Sequence, residues 1–311
     1  MRCCVLLSYF LTVGGQIFMM FLMVLVGYLM YKRHMLTENG IKEMSVLLLK
    51  IVTPMILVSA FQREFEAGLF KDWVTMFLAS ALTYGVSIVL SIILYRRESR
   101  AEERMCIFLP NNGFLAFPLM QALAGEFGIF LGSTSVILLN VIQWTYGVKL
   151  LKPDAKINIK NIILNPGVIG IVLGLLLFFS PWKLPKYVFS AVDAIGSLNT
   201  PLAMIVLGGM LAQTDLKKEL KTASFYKISV IKLIVLPFIM LGLFYVLPLS
   251  DSVKLVAFIC SVTPAATSVS MLSQIFDGDY RYAASAVVIT TVLSALTMPI
   301  ILTIGKAVLG Y

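Results

Sequence analysis

Ten apolar runs follow one another along the 311-residue chain, each about twenty residues or longer and bounded by charges or by glycine and proline. At 1.5 Å per residue, a helix of that length crosses the roughly 30 Å of a bilayer's hydrocarbon. The runs cover about 8–31, 41–61, 72–95, 104–124, 127–148, 162–181, 186–212, 223–247, 252–274 and 280–308. Soluble cores use shorter runs. With a mean hydropathy of +0.93 and 13% charged residues, the chain reads as an all-α, polytopic membrane protein of ten transmembrane helices. The first run continues to Tyr31 without a small-residue cleavage site, so it reads as a helix and not as a signal peptide.

The fourth and ninth runs are poor simple spans. Leu109-Pro110-Asn111-Asn112-Gly113 opens a stretch that reaches Pro118, and the ninth run carries Thr263-Pro264 with Thr267 and Ser268. Proline lacks an amide donor and obstructs the carbonyl four residues back, so each helix should be interrupted. In lipid, unpaired backbone survives only where protein or a wet cavity surrounds it, which makes these two places candidates for a binding site.

The net charge of +9 lies between the runs, where a positive-inside bias explains it and a nucleic-acid partner is not needed. Sixteen of the 25 lysines and arginines fall in the loops after runs 1, 3, 5, 7 and 9, which puts the odd-numbered loops in the cytoplasm and both termini outside. Lys50 and Lys232 lie within runs. Each is either a side chain snorkelling to the inner interface or a positive charge on a water-filled cavity that attracts an anion. The four cysteines show no metal spacing, and His34, the only histidine, sits beside Lys32 and Arg33 in a loop. No metal, cofactor or catalytic base is expected, which argues against an intramembrane hydrolase and against any enzyme.

The two halves look related. Cys106-x-x-x-Pro110 in run 4 recurs as Cys260-x-x-x-Pro264 in run 9, and runs 2 and 7 carry Pro54 and Pro201 in mid-segment. Five runs per repeat is odd, so the second copy must be inverted. The expected division is a first five-helix repeat over 1–151, a cytoplasmic linker over 152–161 and a second repeat over 162–311. Paired interrupted helices in such a repeat point to a transport site at the midplane.

The segment from Leu109 to Leu119 resembles the asparagine-to-proline signature of the auxin efflux carrier family, which includes plant PIN-type carriers and bacterial organic-acid permeases. Gly27-Tyr28, Pro54, Asn165-Pro166, Pro201 with Leu207-Gly208, Lys232 five residues before Pro237, Thr263-Pro264 and Met298-Pro299 extend the likeness over essentially the whole chain. The resemblance implies a sodium/proton antiporter-like fold with spans 4 and 9 broken and crossing. It also implies a transport domain that moves against a scaffold, often in a homodimer embedded in membrane lipid. Asn111 takes the place of the family's substrate-contacting asparagine, Pro118 the break and Pro264 its partner in span 9; Ala116 departs from the family's usual glycine.

Two broken helices aim half-helix N-termini at one place, which suits a carboxylate. Asn111 and Asn112 add amides there, Thr263 and Thr267 hydroxyls, Asn140 and Gln143 a pair on one face of span 5, and Lys232 a positive charge. These residues and the two prolines form the expected substrate-binding set. No acidic residue lies clearly within a run, Asp193 being nearest. The expected function is therefore secondary transport of a small organic anion without a dedicated proton carboxylate. A sodium-coupled symporter of the same fold, or a receptor that binds without moving its ligand, stays open beside it.

Overall fold

The computed structural model describes residues 2–95, 100–213 and 222–311, with side chains from Leu6 onward. Arg96, Arg97, Lys217, Lys218 and Lys221 of the charge count lie outside the described residues, as do the side chains of Arg2, Cys3 and Cys4. In chain order the helices are α1 (Arg2–Lys32), α2 (Glu38–Ala60), α3 (Ala67–Leu94), α4 (Ala101–Phe108), α5 (Asn112–Leu151) and α6 (Pro166–Phe179). They continue as α7 (Lys186–Ala212), α8 (Ala223–Val246), α9 (Asp251–Val262), α10 (Ser268–Ile275) and α11 (Tyr280–Leu309). Seven of them, α1, α2, α3, α5, α7, α8 and α11, are long and apolar enough to cross a membrane. Among the described residues there is no strand, only an isolated antiparallel bridge between Pro110 and Ala265.

The helix starts follow local chemistry. Thr37 caps α2 by accepting the Gly40 N–H at 3.0 Å, Asn165 caps α6 by accepting that of Gly167 at 2.9 Å with Pro166 in the first turn, and Asp279 caps α11 through the Tyr282 N–H at 3.0 Å. Gly310, in the left-handed region at φ 78°, ends α11.

The helix bounds place two expected interruptions and correct the length of one run. Runs 4 and 5 are divided at Gly125, whose φ of 58° and ψ of −153° are open to glycine alone, while the interruption itself lies further back, at Leu109 to Asn111. Run 9 is split by the non-helical residues Thr263 to Thr267. The helix in run 6 has 14 residues, about 21 Å of rise, so it is shorter than the apolar run that contains it.

Prolines in other helices do not stop them. Pro54 and Pro237 each follow a π turn, Leu48–Val52 in α2 and Ile231–Val235 in α8, and the helix carries on. A π turn widens the coil by one residue, which relieves the clash of the ring with the preceding carbonyl.

Packing reverses the soluble pattern. On α3 the buried face carries Ser80, Thr83, Tyr84, Ser87 and Ser91, whereas Leu78, Val89, Ile92 and Ile93 point outward. In water this would be inside out; in lipid it brings hydroxyls to the middle of the bundle. Glycines let helices touch backbone to backbone. A Cβ on Gly208 of α7 would collide with the Val24 carbonyl of α1, and one on Gly27 with the Ile205 backbone. Gly170 of α6 meets the Pro54 backbone of α2 in the same way, and Gly174 makes room for the ring of Phe61, which follows α2. Both glycine pairs are therefore close-packing devices, as small residues commonly are between membrane helices.

Candidate functional site

The two interruptions meet. The Asn111 N–H donates to the Pro264 carbonyl at 2.9 Å, and the Ala266 N–H donates to the Leu109 carbonyl at 2.8 Å, so the exposed backbone of each break is satisfied by the other. Pro110 stands opposite Ala265 within this short ladder. The position of Pro118 corrects the expectation: it lies inside the resumed helix, just after the π turn Asn112–Ala116, and Pro110 occupies the break. Pro264 is in the second break as expected. Thr290 of α11 supports that break by accepting the Ala265 N–H at 3.3 Å.

Asn111 heads the resumed helix. Its Oδ1 accepts the Phe114 N–H at 3.3 Å, and its carbonyl accepts those of Leu115 and Ala116 at 3.2 Å. The residue is 2% exposed, yet its Nδ2 has no partner among the described residues. Buried amide nitrogens nearly always find an acceptor, so this donor is a candidate contact for a ligand's acceptor. It stands at the positive end of a helix, next to Gly113, where a Cβ would meet nothing within 4 Å.

Asn112 turns the other way. Its Nδ2 donates to Ser135 Oγ at 2.5 Å and to Tyr84 OH at 3.3 Å, and Tyr84 OH donates to the Ser135 carbonyl at 3.1 Å. This buried network ties the first break to α3 and to the middle of α5. Neither Tyr84 nor Ser135 was in the expected set. The hydroxyl stripe of α3 and the run Ser133-Thr134-Ser135 were the signals available for them.

Lys232 is 1% exposed and donates to the Ile107 carbonyl at 3.1 Å, which excludes snorkelling. With Tyr84, Ser135, Pro110 and Cys260 it lines a cavity of about 10 Å³, room for roughly one water. Lys50, in contrast, is exposed on α2.

The remaining expected residues are spread out. Thr263 Oγ1 donates to the Cys260 carbonyl at 3.0 Å beside the second break, and Thr267 is half-buried just before α10. Asn140 and Gln143 bond within α5: Asn140 Nδ2 donates to the Val136 carbonyl, and Gln143 Nε2 to Asn140 Oδ1, both at 2.9 Å. Among the described residues no hydrogen bond ties that pair to the crossing, and Gln143 Oε1 is buried without a donor.

Two acidic residues are held in helices by hydrogen bonds that do not involve the crossing. Glu102 is buried in the first turn of α4 and accepts the Asp279 N–H at 2.7 Å, and Asp193 of α7 accepts from Ser59 Oγ at 2.8 Å. Among the described residues, no carboxylate bonds to Asn111, Asn112 or Lys232.

A family model described as membrane transport protein matches residues 12–302. The chain is also similar to an uncharacterized transporter of Methanocaldococcus jannaschii, 24% identical over 292 residues that cover 89% of this chain and 94% of that protein.

Proposed function

Because the chain belongs to the auxin efflux carrier family of membrane transport proteins, we propose that it is a secondary transporter that carries a small carboxylate across the cell membrane by alternating access at the crossing of the two breaks. The observation that carries the reading is the buried Asn111 Nδ2 without an acceptor at a helix N-terminus. A carboxylate oxygen accepts from it, and the helix end stabilises the negative charge.

We read the architecture as ten spans in a 5+5 inverted repeat, with both termini outside and the odd-numbered loops in the cytoplasm. Support comes from the crossing itself. The ends of the two Cys-x-x-x-Pro segments, Cys106 to Pro110 and Cys260 to Pro264, meet and pair antiparallel. Matching segments brought together in this way are what repeats related by an axis in the membrane plane would place at the midplane. The bundle of α3, α4, α5 and α8 to α11 then moves against α1, α2, α6 and α7.

The test is a thermal-stability screen of the purified protein with malonate, malate, lactate and indole-3-acetate, in wild type and Asn111→Ala. At least one acid should stabilise the wild type. Loss of one charge-assisted hydrogen bond, about 1.5–3 kcal/mol, should weaken that acid roughly ten- to hundredfold in the variant. Equal stabilisation of both proteins would remove Asn111 from the site.

A further inference from the structure

Lys232 occupies a place that the carboxylate site does not explain. Ile107 is the penultimate residue of α4, and in an unbroken helix its carbonyl would receive the N–H of Asn111. That N–H is taken by Pro264, so the break leaves the carbonyl to another donor, and the Lys232 ammonium supplies it at 3.1 Å. The position is the negative end of a half-helix. In carriers with discontinuous helices, such ends and the unwound carbonyls beside them are where coupling cations are held.

The lysine is set there by its own helix. The π turn Ile231–Val235 holds Lys232 at the level of the break, and Pro237 fixes where that turn falls. Its charge has no carboxylate partner among the described residues. The cavity it lines admits about one water and is too small for a carboxylate, so Lys232 does not contact the substrate in this conformation. On its far side Tyr84 and Ser135 hold Asn112, which links the ammonium to the crossing through two side chains.

We propose that Lys232 is a tethered cation: its ammonium fills, at the C-terminal end of α4, the position where a soluble coupling cation would otherwise be held, so that the carrier needs no sodium. The inference rests on the crossing being the transport site. It predicts that removing the side chain opens a site for a small cation.

The experiment compares full-length wild type, Lys232→Ala and Lys232→Met by melting temperature in choline, sodium and methylammonium chloride at equal ionic strength, without any carboxylate. Wild type should melt at one temperature in all three salts. Lys232→Ala should melt lower in choline and recover by about 3 °C or more, saturably, in sodium or methylammonium. Lys232→Met, which fills the space without charge, should show no recovery. Saturable stabilisation of the wild type by sodium would overturn the inference, and this arm needs no variant to fold. Absence of recovery in a folded Lys232→Ala would overturn it too. None of these readings uses a carboxylate, so failure here is separate from failure of the Asn111 screen.

Discussion

The two adjacent asparagines at the first break divide their work. Asn111 uses its oxygen to cap the helix and keeps a donor free, whereas Asn112 gives both donor contacts to Tyr84 and Ser135. Tyr84→Phe removes one acceptor of Asn112 and the donor to the Ser135 carbonyl, so it should lower stability by about 1–2 kcal/mol in chemical denaturation. Its effect on carboxylate affinity should be small by comparison. Gly113→Ala should do the opposite if the open side of Gly113, where the added methyl meets no protein atom within 4 Å, is the side from which the acid reaches Asn111. Stability should stay within about 1 kcal/mol, while carboxylate binding weakens. Asn111 was legible in the sequence because an amide beside proline inside an apolar run is costly in lipid and has to be offset by a polar partner. Tyr84 and Ser135 were not, because their meeting with Asn112 depends on how α3 and α5 are rotated, which no local pattern reports.

Helices in this chain are interrupted in two physically different ways. At 109–111 and 263–267 the coil stops and the two breaks satisfy each other's backbone, while before Pro54 and Pro237 it widens into a π turn and continues. Proline alone does not distinguish these outcomes, so the sequence marks where helices are disturbed and not how. The turn at Gly125 was hidden for the same reason, since a glycine between two apolar runs carries no sign of its φ. Gly125→Ala isolates that conformation, because its Cβ would meet nothing within 4 Å and only backbone strain remains. It should cost about 1–3 kcal/mol, seen as a lower melting temperature, without changing which acid binds.

Across the whole molecule, close-packed glycines join helices outside the crossing, while polar side chains join those around it and, through Ser59 and Asp193, α2 to α7. α1 meets α7 through Gly27 and Gly208, and α6 meets α2 through Gly170 and the adjoining Phe61 through Gly174, with Phe61, Phe130 and Phe178 packed in a cluster. Gly208→Val forces a branched side chain onto the Val24 carbonyl and should cost on the order of 3 kcal/mol, read as loss of folded protein in detergent. The seven helices long and apolar enough to cross a membrane were readable from hydrophobicity, whereas the 14-residue length of α6 inside its longer apolar run was not. The pairing of Leu109–Asn111 with Pro264–Ala266 needed the structure, since it joins residues about half the chain apart. The most direct test of transport at this pairing is counterflow of radiolabelled malonate, malate, lactate and indole-3-acetate in proteoliposomes bearing wild type or Asn111→Ala. At least one acid should exchange saturably through the wild type and at least about tenfold more slowly through the variant, with the variant's melting temperature unchanged. Exchange at equal rates through both proteins would contradict a carboxylate site centred on Asn111.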